Sequence, residues 1–297
     1  MSNTSATTVS ATSFGTVVVR TLKVFALLRE SWVGMIGAGL VVFWVLVAIL
    51  APFISPFDPL ATLQPFAKPG TAYVEGGTFW LGTDHIGRDI LSRVIWGSRV
   101  VLIYAPLATL TAYALGIAMG LAAGYKRGWV DDLLSRISDI ILSFPVLVLY
   151  IIIIATVGAS GINIVLAITF ASAPGVMRIV RGLVLDLRNR DYVAAAQTRG
   201  ESAWHIMLVE ILPNARGPLI VDACLRMGYV IITIGVLGFL GLGLPPPDPD
   251  WGGMINETRQ MAMAFPHMVL FPTIAISSLI LGFNLLADGL REISLRD

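Results

Sequence analysis

From Ile140 to Met177 the chain runs for 38 residues without one Asp, Glu, Lys or Arg. As a single helix at about 1.5 Å per residue it would measure roughly 57 Å, close to twice the hydrocarbon thickness of a bilayer. Such a stretch has no stable place in water and is too long for one crossing. It must fold back, and Gly158-Ala-Ser-Gly-Ile-Asn163 supplies the turn residues. Charge-free windows at Ser31–Phe57 (apolar core Val33–Ile54) and Val100–Tyr125 predict two further spans. Pro218–Leu240, despite Asp222 and Arg226, and Met268–Asp288 predict two more. Only 13% of residues are charged and 56% are hydrophobic, against about 25% charged in a soluble domain. The expected fold class is therefore an all-α integral membrane protein with six transmembrane helices.

Six crossings place both ends of the chain on one side. With the termini cytoplasmic, inside segments hold 14 Lys and Arg against 5 outside, and the positive-inside rule favours that orientation. The organisation expected is a cytoplasmic tail with an interfacial elbow helix over residues 1–30, the elbow itself spanning Val17–Glu30. A first span and a long outer loop cover 31–99, a transmembrane core 100–290, and a tail 291–297. Within the outer loop, Ile86, Ile90, Val94 and Ile95 fall at helical spacing, predicting a surface helix over Ile86–Ser98 with an Asp89–Arg93 pair. Trp80, Trp96 and Trp251 are expected at the membrane interface as anchors. Asp84, Asp89, Asp248 and Asp250 are expected as solvated loop carboxylates rather than a calcium site.

Several functions are excluded or demoted by composition. A net charge of +1 leaves no nucleic-acid footprint. One cysteine, Cys224, permits no intramolecular disulfide, and His85, His205 and His267 have no metal-ligand spacing. Gly158-Ala-Ser-Gly161 matches the Gly-x-Ser-Gly of rhomboid-type intramembrane proteases, with His267 as the base such chemistry needs, but it falls in a turn. Arg226 lies near mid-depth of the fifth span, where an unpaired charge costs about 2.5–3.5 kcal/mol. Two readings follow: an ion pair with Asp222 or with a partner subunit, or a pathway residue that meets a substrate carboxylate.

The longest inside connection, residues 182–216, contains Asp191-Tyr-Val-Ala-Ala-Ala-Gln-Thr-Arg-Gly200 and then Ile211-Leu-Pro-Asn214. Asp191 is a helix N-cap candidate, the alanines favour helix with a smooth face, and Gly200 permits a sharp turn. A short surface helix is expected, followed by a second limited by Pro213. This loop resembles the "EAA" loop of bacterial ABC importer permeases. Ala195, Ala196, Gly200, Leu212 and Pro213 match in register, while Ala194 replaces the family's Glu and Glu210 its Ile. Leu81-Gly-Thr-Asp-His-Ile-Gly-Arg-Asp89, with Gly82, Asp84, Gly87, Arg88 and Asp89, resembles the periplasmic signature of the oligopeptide/dipeptide/nickel permeases. It points to their second, C-type subunit. Leu142-Ser-Phe-Pro145, Phe239–Gly252 and Phe283–Arg291 resemble further segments of the same family, so the likeness spans roughly residues 27–292.

The resemblance implies the binding-protein-dependent ABC importer permease fold with a cytoplasmic coupling helix, set in a bacterial inner membrane. It implies Asp191, Ala195, Ala196, Arg199, Gly200, Leu212 and Pro213 as the ATPase-coupling set. Its partners would be a homologous permease subunit, two ABC ATPase subunits that hold ATP and Mg, and an extracytoplasmic solute-binding protein. The chain agrees in having no Gly-x-x-x-x-Gly-Lys-Ser/Thr phosphate loop, so no cofactor is expected on this chain and it is not itself an enzyme. Di- or oligopeptides are the implied cargo, with nickel complexes, heme or glycosides as other solutes of the family. An ion-coupled secondary transporter is the rival that would need no coupling loop.

Overall fold

The computed structural model describes residues 31–245 and 247–294, so the elbow expected at Val17–Glu30 lies outside the described residues. Ten α-helices and one small hairpin follow in order. Helix α1 is Trp32–Ile54, β1 Thr71–Ala72, β2 Thr78–Phe79, α2 Ile90–Lys126, α3 Trp129–Ser143, α4 Val146–Val157 and α5 Gly161–Leu187. Then come α6 Asp191–Thr198, α7 Ala203–His205, a π-helical segment Ile206–Ile211, α8 Leu212–Phe239, α9 Trp251–Thr258 and α10 His267–Ser294. Among the described residues, five helical stretches are long and apolar enough to cross a membrane, and the count is six when the bent pair α3–α4 is taken as one broken span.

The bend has a local cause. Phe144 precedes Pro145, and the proline ring bars it from helical angles, so Phe144 sits extended at φ −80°, ψ 142°. The two helices therefore meet at 90°. The third span, expected from Ile140, starts instead at Val146. The four residues Ile140–Ser143 belong to α3, whose charges tie it to the end of α5. Arg181 donates to both carboxylate oxygens of Asp131 at 2.5 and 2.7 Å, and Arg178 pairs with Asp139 at 2.5 Å. The fold-back at 158–163 is present: Gly158 takes φ 97° and Ser160 caps α5 by accepting the Asn163 N–H at 3.2 Å.

Two expected boundaries shift. The separate surface helix Ile86–Ser98 is not formed. Ile86 lies in the loop and residues from Ile90 onward open the 37-residue α2, so the division at 99/100 falls inside one helix. Its apolar stripe faces protein, with Ile90, Val94 and Ile95 all buried. Pro213 does not limit a second short helix either. The π segment hands its pairing over to α8 just before it, with Leu212 N–H donating to Met207 five residues back, so the missing proline N–H interrupts nothing. At the other end, α10 continues through Ser294, past the expected tail boundary at 291.

What clamps the spans together is backbone proximity. Gly116, Gly120 and Gly124 recur every four residues on α2 and meet Val176, Val180 and Val184 at the same spacing on α5. A Cβ at each glycine would stand 2.5, 2.5 and 2.7 Å from the facing valine Cβ. This is a small-residue seam of the kind that lets membrane helices approach closely, where no hydrophobic effect drives association. Helix α10 packs on α1 and α8, with the Trp44 indole N–H donating to Ser278 Oγ at 2.9 Å. The outward faces stay apolar, as at Ile36, Phe43, Ile49 and Phe53 on α1.

Replacing Gly120 by Leu must therefore part α2 from α5, at a cost of about 1–3 kcal/mol or more from overpacking. The expected result is a lower thermal unfolding midpoint and a several-fold smaller monodisperse peak in detergent. Gly182→Ala is the control, because nothing lies within 4 Å of that Cβ. A wild-type midpoint for Gly120→Leu would show that the seam is slack.

Candidate functional site

Three groups of polar residues interrupt the apolar body, one at each end of the spans and one in the middle. At the end that carries α6, the sequence explains the shape. Arg190 is the N-cap position, at φ −80°, ψ 150°, and offers no side-chain cap; Asp191, expected there, is instead the first helical residue. An acid in the first turn still faces the positive end of the helix dipole. Gly200 takes φ 79° and closes the helix, its N–H reaching Gln197 O while Glu201 N–H reaches Ala196 O. That is a Schellman cap, which needs the left-handed residue.

Helix α6 has two faces. Val193 and Ala196 are fully buried, in one cluster with Val184, Ile206, Met207, Ile211 and Leu219. Asp191, Ala194, Ala195, Arg199, Gly200 and Pro213 are exposed, whereas Leu212 is half-buried. Ala196, expected among contact residues, thus faces inward and serves packing. The two departures from the family pattern are also placed. Glu210 accepts from Arg199 at 3.2 Å, and Arg199 lies 3.7 Å from Glu201. The Glu at 210 therefore ties the end of α6 back to the π segment, while position 194 is left small and open.

At the opposite end the Gly82–Asp89 segment is a buried knot rather than a solvated loop. Asp84 accepts the Ile86 and Arg88 N–H groups at 3.0 and 2.9 Å and pairs with Arg88 Nε at 2.5 Å. Arg88 reaches on to Glu257 on α9. Gly82 and Gly87 have φ 81° and 93°, and a Cβ at Gly82 would lie 2.6 Å from Ala67 O. Asp89 caps α2, accepting Ser92 N–H at 2.8 Å and its Oγ at 2.7 Å. The expected Asp89–Arg93 pair does not form, because the cap turns Asp89 toward Ser92 while Arg93 is nearest Glu257 at 3.9 Å. Burial raises the Asp89 carboxyl against the lowering effect of the Ser92 contacts.

Two expected surface residues belong to this knot. Trp251 is fully buried, donates to Val94 O at 2.9 Å and packs edge-on against Trp44. Asp250 is buried as the cap of α9, accepting Gly252 and Gly253 N–H at 3.2 and 3.1 Å. Desolvation pushes its carboxyl up to about 6, against those two N–H groups. The glycines of Phe239–Gly252 allow this, since a Cβ at Gly243 would lie 2.5 Å from Asp250 Oδ2. Ser160 and His267 form no hydrogen bond with each other. Ser160 is engaged as a cap and His267 packs on Gly82 and Phe265, so the protease geometry is not assembled.

In the middle, Arg226 Nε donates to Asp222 Oδ2 at 2.8 Å, and Tyr113 from α2 donates to the same oxygen. The ion pair is thus formed within this chain. Both charged side chains are about a quarter exposed, Arg226 at 25% and Asp222 at 22%. Arg226 borders a cavity of about 120 Å³ lined also by Thr109, Tyr113, Tyr150, Ser172 and Thr233. The sequence singled out the pair but not the hydroxyls, which come from α2, α4, α5 and α8 and converge only on folding.

A multi-span helical body with a closed surface helix at one end and a polar cavity at mid-depth defines a membrane transport protein. The chain belongs to the family described as binding-protein-dependent transport system inner membrane component, whose model matches residues 113–296. Residues 23–69 match the N-terminal TM domain of oligopeptide transport permease C. The chain is 38% identical over 260 residues to the dipeptide transport system permease protein DppC of Haemophilus influenzae, covering 87% of this chain and 88% of that one. It is 37% identical over 258 residues to the glutathione transport system permease protein GsiD of Pectobacterium atrosepticum, covering 86% and 85%. The DppC of Alkalihalophilus pseudofirmus is 37% identical over 270 residues, covering 91% and 88%.

The raised Asp250 carboxyl carries a pH signature. Its folded value lies above the ordinary carboxyl value of 3.8, so the folded state holds the proton more tightly than the unfolded chain. This group's contribution to stability is full below 3.8 and is lost as pH rises to about 6. Asp250→Asn keeps an acceptor for the cap and removes the titration. Thermal midpoints of the purified protein at several pH values should show a shallower decline across that window for the variant. Identical slopes would place the titration elsewhere.

Proposed function

We propose that this chain is the C-type transmembrane subunit of an ATP-driven importer for di- and oligopeptides. Its partners in this reading are a homologous permease subunit, two ABC ATPase subunits that hold ATP and Mg, and an extracytoplasmic binding protein. The observation that carries it is α6, a short helix with one buried face seated on the spans and one small, exposed face. Support comes from the absence of a phosphate loop in the sequence and from the names of the relatives, transport permeases for dipeptides and glutathione. The charge bias of 14 to 5 supports cytoplasmic termini and an inner-membrane setting. In that orientation α6 faces the compartment that contains ATP.

The mechanism follows from the packing. Val193 and Ala196 share a core with Val184 on α5 and Ile206, Ile211 and Leu219 toward and on α8. An ATPase that pulls α6 therefore moves α5 and α8 with it, because a dense apolar cluster transmits displacement instead of absorbing it. Rocking of these spans against the second subunit would expose the path first to one side and then to the other. The exposed Asp191, Ala194, Ala195, Arg199 and Gly200 are the contact residues in this scheme, and Ala196 holds the helix down.

Gly200→Leu tests the scheme. A leucine at φ 79° costs about 1–2 kcal/mol and unseats the cap. In proteoliposomes holding the assembled transporter, ATP-dependent dipeptide uptake should drop at least about tenfold while the variant remains folded. Uptake by the wild-type chain that persists without any ATPase would refute coupling and favour an ion-driven carrier.

A further inference from the structure

The cavity beside Arg226 has the chemistry of an anion subsite within the membrane. Arg226 stands fourteen residues into the 28-residue α8, about 21 Å along a helix of roughly 42 Å. It is therefore halfway along a helix read as a span, where a cation is retained only with compensation. Asp222 compensates it through Nε alone. The two terminal nitrogens point the other way. They are the atoms nearest the position of a Cβ at Gly175, with Nη1 at 3.2 Å and Nη2 at 3.4 Å. The glycine on α5 thus leaves room for the guanidinium head. Around it stand the hydroxyls of Thr109, Tyr113, Tyr150, Ser172 and Thr233. Tyr229, at 69% exposure, marks the mouth, so the cavity reaches the surface of the chain.

A structural ion pair needs none of this. A buried pair in an apolar bundle is best satisfied when apolar side chains close around it. Here the terminal nitrogens of the guanidinium face a polar cavity, although Thr109, Tyr113 and Thr233 already spend their protons on Ala105 O, Asp222 and Tyr229 O. The cavity volume of about 120 Å³ is ample for a carboxylate and accompanying water. We propose that this cavity receives the terminal carboxylate of the peptide during translocation. The terminal nitrogens of Arg226 bind the carboxylate in a forked pair, the Tyr150 and Ser172 side of the cavity supplies the hydroxyl protons left for its remaining lone pairs, and Asp222 is a positioning residue that aims the guanidinium. The rest of the peptide lies outside the cavity. This inference rests on the reading of the cargo as a peptide.

The test compares uptake of alanyl-alanine with uptake of alanyl-alanine amide, which lacks the carboxylate. Proteoliposomes hold the complete transporter with its binding protein. That protein is the same throughout, so its own preference cancels when acid-to-amide ratios are compared between variants. Arg226→Gln is expected to lower the ratio about tenfold, the worth of a charge-assisted hydrogen bond, and Arg226→Lys to keep most of it. Arg226→Gln leaves Asp222 unpaired and can fail to assemble. The double variant Asp222→Asn, Arg226→Gln removes both charges and answers that case. Its assembly is checked by co-purification, and its ratio should stay low. A restored ratio in the double variant, or equal losses of acid and amide in Arg226→Gln, would reduce the pair to a structural one and overturn the subsite. Import of neither compound by the wild type would overturn the peptide reading and the subsite together.

Discussion

The approach of α2 to α5 is the contact on which the other features depend. In a bilayer, lipid tails are as apolar as leucine, so helices associate through close packing and polar contacts instead of by escaping water. Three glycines facing three valines at four-residue spacing bring the two backbones nearly into touch over more than two turns. Every other element is then placed relative to that pair. Helix α3 is tied to α5 by Arg181–Asp131 and Arg178–Asp139. Helix α6 packs in one cluster with the seam valines of α5, Val184 among them, and Tyr113 enters the central cavity from α2 three residues before the seam. A loose seam would misplace both the surface helix and the cavity.

Polar residues are distributed according to what each depth permits. At the two ends, ion pairs and caps are dense because each serves to fasten a loop: Asp84–Arg88–Glu257 joins the loop after α1 to α9, and Arg199–Glu210 closes the loop after α6. Surface pairs such as Arg199–Glu210 contribute little energy, about 0–1 kcal/mol, so their value is geometric. The buried knot differs. Arg93 is 2% exposed and leaves Nε and Nη1 without a partner among the described residues. In the middle the Asp222–Arg226 pair is kept, and its arginine borders a cavity.

Much of this was legible in the sequence, and what was not has identifiable causes. The spans were visible because absence of charge over about twenty residues is a local property with one physical meaning. The fold-back at Gly158 and the turn at Gly200 were visible because glycine marks the backbone directly. The start of α2 was hidden, since Arg93 and Arg99 look like the end of a membrane segment. Arg93 is tolerated only because Glu257, 164 positions away in the chain, comes near it. Asp250 and Trp251 read as a solvated acid and an interfacial anchor until α9 folds under α8 and buries both. The glycine–valine seam has a plain sequence pattern on each helix, but neither half shows which helix is its partner. The cavity hydroxyls share that fate, coming from four helices with no common spacing.

Helix α8 connects the two functional regions. Its first turns pack with α6 through Ala215 and Leu219, and Arg226 follows two turns later on the same rigid element. The junction before it is π-helical, a geometry in which one extra residue per turn weakens the regular ladder and permits local rotation. Glu210, at the end of that segment, is held by Arg199 from the tip of α6. In the proposed scheme a displacement of α6 would act on α8 at this π-helical junction, and a helix would carry rotation along its length because its hydrogen bonds are internal. Rotation of α8 by even a few tens of degrees would swing Arg226 relative to Gly175, which stands on α5. The same stroke that reorients the spans would therefore open or close the guanidinium to its ligand. On the proposed reading, release of an anion from this cavity would need no separate device beyond the movement imposed on α6.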